Sequence, residues 1–221
     1  MFQNIRNSLI NIKFFSKKFF IQNNIDKIDF SLFKEYDQKH FLIPNQTHSN
    51  NIIFSNNPGQ IDNCDGVFTS NPKIVCMIKV ADCMPIFFAH QYKFFYGVIH
   101  AGWKGLSKGI LKNTSILLKE NKIKFNEIDI YIGPSIQKCC FEVSRDIIDQ
   151  FPFWSIRPKK SGKFMVNLQK IAFEELRFVG FDEKRIKISS DCSFCKNNNY
   201  YSYRRDGDKT RRMIGVITSE A

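Results

Sequence analysis

The sequence predicts one α/β domain, and three observations lead there. Short apolar runs of strand length, Ile74–Val80 and residues 94–99 among them, alternate with a segment whose apolar residues recur at helical spacing. No low-complexity linker interrupts the 221 residues, a length that suits one large domain. The alternation follows no strict repeat, and no GxGxxG fingerprint marks a dinucleotide fold.

Taken in order, residues 7–15 read as a first strand, and residues 20–40 are polar and irregular. Residues 41–55 (FLIPNQTHSNNIIFS) are apolar at both ends and polar between, which predicts two short strands with His48 in the intervening loop. Cys64-Asp65-Gly66 reads as a turn, since Asp-Gly readily supplies a positive φ. The run Ile74–Val80 is a buried strand leading through Ala81 and Asp82 to Cys83, where Pro85 soon restricts the backbone. A second run over 94–99 ends on His100. Leu106, Ile110, Thr114, Leu117 and Leu118 then predict one helix from about Gly105 to Asn121. Residues 128–132 are a strand closed by Gly133 and Pro134, residues 144–151 a short helix, and 152–163 a basic loop. Asn167 is placed to cap a helix over 168–179, which Gly180 ends. Strands are predicted over 185–189 and 213–218, the last apolar enough to be central.

Composition narrows the function classes. No apolar run reaches the roughly 18 residues a membrane helix needs. The basic, apolar N-terminus lacks a continuous h-region and a small-residue cleavage site, so it is not read as a signal peptide; a cytoplasmic location is expected. The net charge of +12 comes from scattered lysines rather than a stripe interleaved with aromatics, which argues against a nucleic-acid partner. The positive charge still favours an anionic substrate by steering. Seven cysteines without disulfide-like spacing suit a reducing compartment.

Several residues carry chemistry. Cys83 and His100 each follow a strand-like run, so a thiol and an imidazole at two strand ends can share a site. That site fits either a Cys/His nucleophile pair or two corners of a metal centre. Gly102, Lys104 and Gly105 open the helix, where exposed N–H groups suit an anion; a plain strand-to-helix turn fits the spacing equally. Residues 200–207 (YYSYRRDG) set aromatics beside Arg204 and Arg205, suited to a planar or phosphorylated ligand or to a surface turn. Cys192 and Cys195 form a lone CxxC pair, too few ligands for zinc, and adjacent Cys139 and Cys140 point in different directions, so packing is expected of at least one of those two.

Five segments then match one family in order and spacing: QTHSN (46–50), ADCMP (81–85), HAGWKG (100–105), GPSIQKCCFEV (133–143) and SYRRDG (202–207). Over residues 45–217 the sequence resembles the polyphenol oxidase/laccase-domain family, also called peptidoglycan editing factor or purine nucleoside phosphorylase. The resemblance implies a single α/β domain with a mixed sheet flanked by helices, similar to the catalytic domain of a deamidating toxin. It also implies that His48, Cys83 and His100 meet at a zinc ion. Two nitrogens and one sulfur leave an open position, as in catalytic zinc sites. The N-terminal region departs from the family pattern: Phe14-Phe15-Ser16-Lys17 stands without the Gly-Gly segment of relatives.

The resemblance implies phosphorolysis of adenosine, inosine, guanosine and methylthioadenosine, with adenosine deamination beside it. Phosphate is expected at Gly102, Lys104, Arg204 and Arg205. Asp82, next to Cys83, is expected in the catalytic group, by orienting a ligand. A multicopper oxidase needs roughly ten imidazole ligands, of the kind that suit copper redox sites, and this chain has four His, two of them (His40 and His90) outside the matched motifs. The alternative enzyme is a hydrolase editing peptidoglycan precursors, with Cys83 as nucleophile and His100 as base. A non-catalytic zinc module is disfavoured, because structural zinc usually has four protein ligands.

Overall fold

The computed structural model describes Ile5–Arg6, residues 9–25, Tyr36 and residues 40–220. Its first elements are β1 (Ile5–Arg6), β2 (Ile10–Phe15) and helix α1 (Lys17–Gln22). Seven strands follow: β3 (His40–Pro44), β4 (Ile52–Phe54), β5 (Gly59–Ile61), β6 (Gly66–Thr69), β7 (Ile74–Val80), β8 (Met84–His90) and β9 (Tyr96–Ala101). Helices α2 (Trp103–Ser107) and α3 (Ile110–Glu120) precede β10 (Ile128–Ile132) and the short β11 (Glu142–Val143). The chain continues through β12 (Ile156–Pro158), β13 (Phe164–Val166), α4 (Leu168–Val179) and β14 (Ile186–Ile188) to α5 (Tyr203–Asp206) and β15 (Met213–Ser219).

Among the described residues the strands form two six-stranded sheets and one small one, rather than the single mixed sheet expected. The first sheet runs β1-β2-β15-β7-β3-β5 and the second β14-β10-β8-β9-β6-β4; β11-β13-β12 form a third. Both large sheets mix parallel and antiparallel pairs. They pack face to face through a core that joins Ile78, Cys76 and Ile217 of the first sheet to Phe87, Val98 and Tyr96 of the second. A Cβ on Gly215 would lie 2.6 Å from the Phe87 ring, so only glycine lets the sheets close here. The opposite face of the second sheet, with Ile86, Phe88 and Ile99, meets Leu111 and Leu118 of α3 and Ile171 and Leu176 of α4.

Strand β8 is absent from the sequence expectation, which stopped at Pro85. Proline lacks an N–H and is tolerated near a strand's start; here its carbonyl accepts from Gly133 N at 2.8 Å. The helix predicted over 105–121 is two helices, because Gly109 takes a φ of +82° between them. The α4 helix follows expectation: Asn167 Oδ1 accepts from Lys170 N at 3.0 Å, and Gly180 ends it in the left-handed region. Strand β15 is central, paired with β2 on one side and β7 on the other. No helix among the described residues is long and apolar enough to cross a membrane.

Candidate active site

Cys83 and His100 come together through β8, not through neighbouring ends of β7 and β9, which lie in different sheets. In the β8–β9 pair Met84 faces Ala101 and Pro85 faces His100, so Cys83, one residue before β8, reaches Gly102. Gly102 leaves the room needed: a Cβ there would sit 2.7 Å from Cys83 Sγ.

His48 arrives on the loop between β3 and β4. Gln46 ties that loop to β7, its amide donating to Lys79 O at 2.7 Å and accepting from Lys79 N at 2.9 Å. His48 has a φ of +58°, a costly conformation for a non-glycine residue. It is held there because three successive backbone amides converge on one carboxylate. Asp65 Oδ1 accepts from His48 N at 3.0 Å, and Oδ2 accepts from Thr47 N at 3.1 Å and Ser49 N at 2.6 Å.

The same carboxylate holds the second imidazole. Asp65 Oδ1 lies 2.8 Å from His100 Nδ1, with both side chains buried. Occupied at Nδ1, His100 keeps Nε2 for Cys83 and for a ligand. In the sequence Asp65 reads only as part of a turn; a carboxylate 35 residues from its imidazole has no local spacing to betray it. Burial opposes its charge, but hydrogen bonds from His100 and Ser49 hold the carboxyl far below the ordinary range.

The three predicted ligands meet. One donor atom from each of His48, Cys83 and His100 lies within 4.8 Å of the others, and the two rings stand edge to face at 4.8 Å. Burial pushes the Cys83 thiol up, but the adjoining His100 and His48 outweigh it and bring the thiol down to about 6. Burial likewise pulls His100 down, and the Cys83 thiolate and Asp65 outweigh it, raising the imidazole to about 9. Two imidazoles and one thiolate, freed by glycine from obstruction and braced by a buried carboxylate, fit a zinc ion with one open position.

This constellation lines a cavity of about 840 Å³. Trp103, Phe141 and Tyr203 give it aromatic walls, and Lys79, Lys104, Arg204 and Arg212 border it with positive charge. In the sequence Arg212 is one basic residue among many, with no motif to mark it.

Asp82 lines the cavity too, but its carboxylate faces the C-terminal segment. It accepts from Ser193 Oγ at 2.6 Å, Ser202 Oγ at 3.0 Å and Arg204 N at 2.7 Å, at a φ of +85°. The expected phosphate contact from Arg205 needs correction. Its guanidinium donates to Ser193 O, Phe194 O, Tyr200 O and both Asp206 oxygens, leaving no N–H for an anion, and it does not line the cavity. Arg204 spends one donor on Glu142 O, lies over the Phe141 ring and borders the cavity.

The cysteines require a second correction. Residues 138–140 form a turn, so adjacent Cys139 and Cys140 do not point apart as they would on a strand. Their sulfurs join those of Cys192 and Cys195, all four within 4.8 Å of one another.

Comparison with known proteins agrees with this architecture. The family model described as multi-copper polyphenol oxidoreductase laccase matches residues 20–220. The chain is 33% identical over 183 residues to a purine nucleoside phosphorylase of Haemophilus influenzae, covering 79% of this chain and 72% of that protein. It is 33% identical over 153 residues to a purine nucleoside phosphorylase of Aquifex aeolicus, covering 69% and 70%. Among solved structures, the fold matches YfiH of Bacillus licheniformis with a TM-score of 0.82 at 24% identity, over 95% of this chain and 92% of that one. It matches YlmD of Geobacillus stearothermophilus with a TM-score of 0.83 at 21% identity, over 96% and 92%. The chain belongs to the multi-copper polyphenol oxidoreductase laccase family, among whose members are proteins named purine nucleoside phosphorylase.

Proposed function

We propose that the protein is a zinc-dependent purine nucleoside phosphorylase acting on adenosine, inosine, guanosine and methylthioadenosine, with adenosine deamination as a side activity. The observation that carries this reading is the meeting of His48, Cys83 and His100 at the wall of a cavity edged by Lys104, Arg204 and Arg212. The names of the relatives support the same reaction.

Each residue has a role in this reading that its position supports. His48, Cys83 and His100 would hold the zinc, which supplies Lewis-acid polarisation when bound. Asp65 fixes the His100 ring through Nδ1 and the His48 backbone through its amide. Trp103, Phe141 and Tyr203 offer flat apolar surface to a purine. Lys104, Arg204 and Arg212 hold phosphate, with the Gly102 end of α2 beside them. A phosphate oxygen then attacks the ribose C1′, the C1′–N9 bond breaks, and its electron pair leaves with the base. Asp82 positions this edge through Arg204 N rather than touching substrate.

A second reading rests on the adjacency of Cys83 and His100, which also suits a thiolate nucleophile with its base in an editing hydrolase for peptidoglycan precursors. One experiment separates the two. Purified protein is assayed against inosine and adenosine with and without phosphate, beside elemental analysis. Phosphate-dependent release of base and ribose 1-phosphate, with about one equivalent of zinc lost in Cys83→Ala relative to wild type, is the expected result. Equal cleavage without phosphate overturns phosphorolysis, and turnover of an amino-acid-linked muropeptide precursor alone favours the hydrolase. Copper in place of zinc, which a two-His, one-Cys set also accepts, overturns the metal assignment.

A further inference from the structure

We propose a second metal site, a structural zinc held by the four thiolates of Cys139, Cys140, Cys192 and Cys195. The four sulfurs lie within 4.8 Å of one another, with Cys139 Sγ and Cys140 Sγ at 3.6 and 3.2 Å from Cys195 Sγ. Tetrahedral zinc with bonds of about 2.3 Å separates its thiolates by about 3.8 Å, close to the 3.6 Å between Cys139 and Cys195 and within the 4.8 Å limit that all four sulfurs meet. Sulfurs that all lie close to one another surround a point, whereas two disulfides would pair them off. An iron–sulfur cluster interposes iron and sulfide and holds its cysteines farther apart, so one ion fits the space better.

The backbone is arranged for the same end. Ser135 and Cys192 pair in a parallel bridge, with Ser193 N donating to Ser135 O at 3.1 Å. Gln137 Nε2 reaches Ser189 O and Asp191 O, tying the Cys139–Cys140 turn to the CxxC turn. Gln137 N donates to Cys192 Sγ at 3.4 Å, an N–H···S bond that favours charge on that sulfur.

The site has a purpose in the fold. The CxxC turn carries Ser193, which donates to Asp82, and the Ser193 and Phe194 carbonyls that hold Arg205. The Cys139–Cys140 turn leads directly to Phe141 and Glu142, the partners of Arg204. A zinc here, bound as the four thiols give up their protons, clamps the segment that brings Phe141 to the cavity against the turn that holds Asp82 and Arg205. It is closed to substrate, because all four ligands come from the protein.

The test is elemental analysis of the full chain purified under reducing conditions without chelator. Wild type is expected to carry about two zinc ions, Cys83→Ala about one, and Cys192→Ser/Cys195→Ser about one. Cobalt substitution in Cys83→Ala should give the charge-transfer band of four thiolates, a readout independent of catalysis and of the first site. Cys139→Ser, altering an exposed ligand, provides a milder variant should the double substitution not fold, and it should weaken zinc retention at this site. A single zinc in wild type that Cys83→Ala removes entirely would overturn the proposal. So would a Cys140–Cys195 disulfide in the freshly purified chain, mapped by mass spectrometry.

Discussion

Asp65 and His100 are joined twice: the carboxylate Oδ1 lies 2.8 Å from the imidazole Nδ1, and His100 N donates to Asp65 O at 2.6 Å. The pair links β6 to β9 in the sheet and, through the same carboxylate, anchors the His48 loop. One buried aspartate therefore sets the position of two of the three candidate ligands.

Replacing Asp65 should disturb both stability and metal binding. Asp65→Asn, which keeps the shape but not the charge, is expected to lower zinc affinity or activity about 10–100-fold. Asp65→Ala should cost about 3–5 kcal/mol, because it leaves a buried imidazole and three amides without their partner. Denaturant melts and zinc titrations check both. Because the folded carboxyl ionises below its unfolded range, its contribution is present above the unfolded pKa and is lost as pH falls through the folded one. The slope of stability in acid should therefore flatten in Asp65→Asn.

Gly102→Ala tests the fit around Cys83. The backbone at Gly102 is extended, with φ −81° and ψ 172°, so alanine brings no backbone strain. The new methyl would instead lie 2.7 Å from Cys83 Sγ and displace it. Activity is expected to fall about 10–100-fold, with reduced zinc content and a melting temperature that matches zinc-stripped wild type. Unchanged turnover would show that the thiol position does not matter.

The arginines should separate cleanly. Arg212→Ala or Lys104→Ala is expected to raise the KM for phosphate about tenfold, equivalent to about 1.4 kcal/mol, and to leave the fold intact. Arg205→Ala should instead destabilise by about 2–4 kcal/mol, since it strands three carbonyls that one guanidinium satisfies. Phosphate KM values set beside thermal melts distinguish the two classes.

Glu175 gives a pH signature away from the site. Burial raises its carboxyl to about 7 in the folded chain, against an ordinary value of 4.5. The folded state then holds a proton that the unfolded state has lost, so stability falls as pH rises from about 4.5 through about 7. Glu175→Gln should abolish that fall and stabilise the protein at pH 8 by about 1–2 kcal/mol. Melting temperatures across that range decide it.

Local residues were enough to determine several elements. Apolar runs marked β7 and β15, and Asn167 with Gly180 marked both ends of α4, because caps and periodicity act within a few residues. The ends of two apolar runs also point to Cys83 and His100 as sharing one site, and likeness to a family adds His48. Other features were decided by tertiary structure alone. Strand β8 forms around Pro85 because β9 and β10 supply pairing on both sides. Asp65 becomes a hub because folding brings residues 47–49 and 100 to it, across gaps no spacing encodes. Arg205 turns from candidate anion ligand to internal brace because main-chain carbonyls close around it. Cys139 and Cys140 meet Cys192 and Cys195 only where the loops after β10 and β14 run side by side. Periodicity, caps and turns are short-range properties of the chain; which distant donors share one point depends on sheet pairing, and that is settled only when the whole core packs.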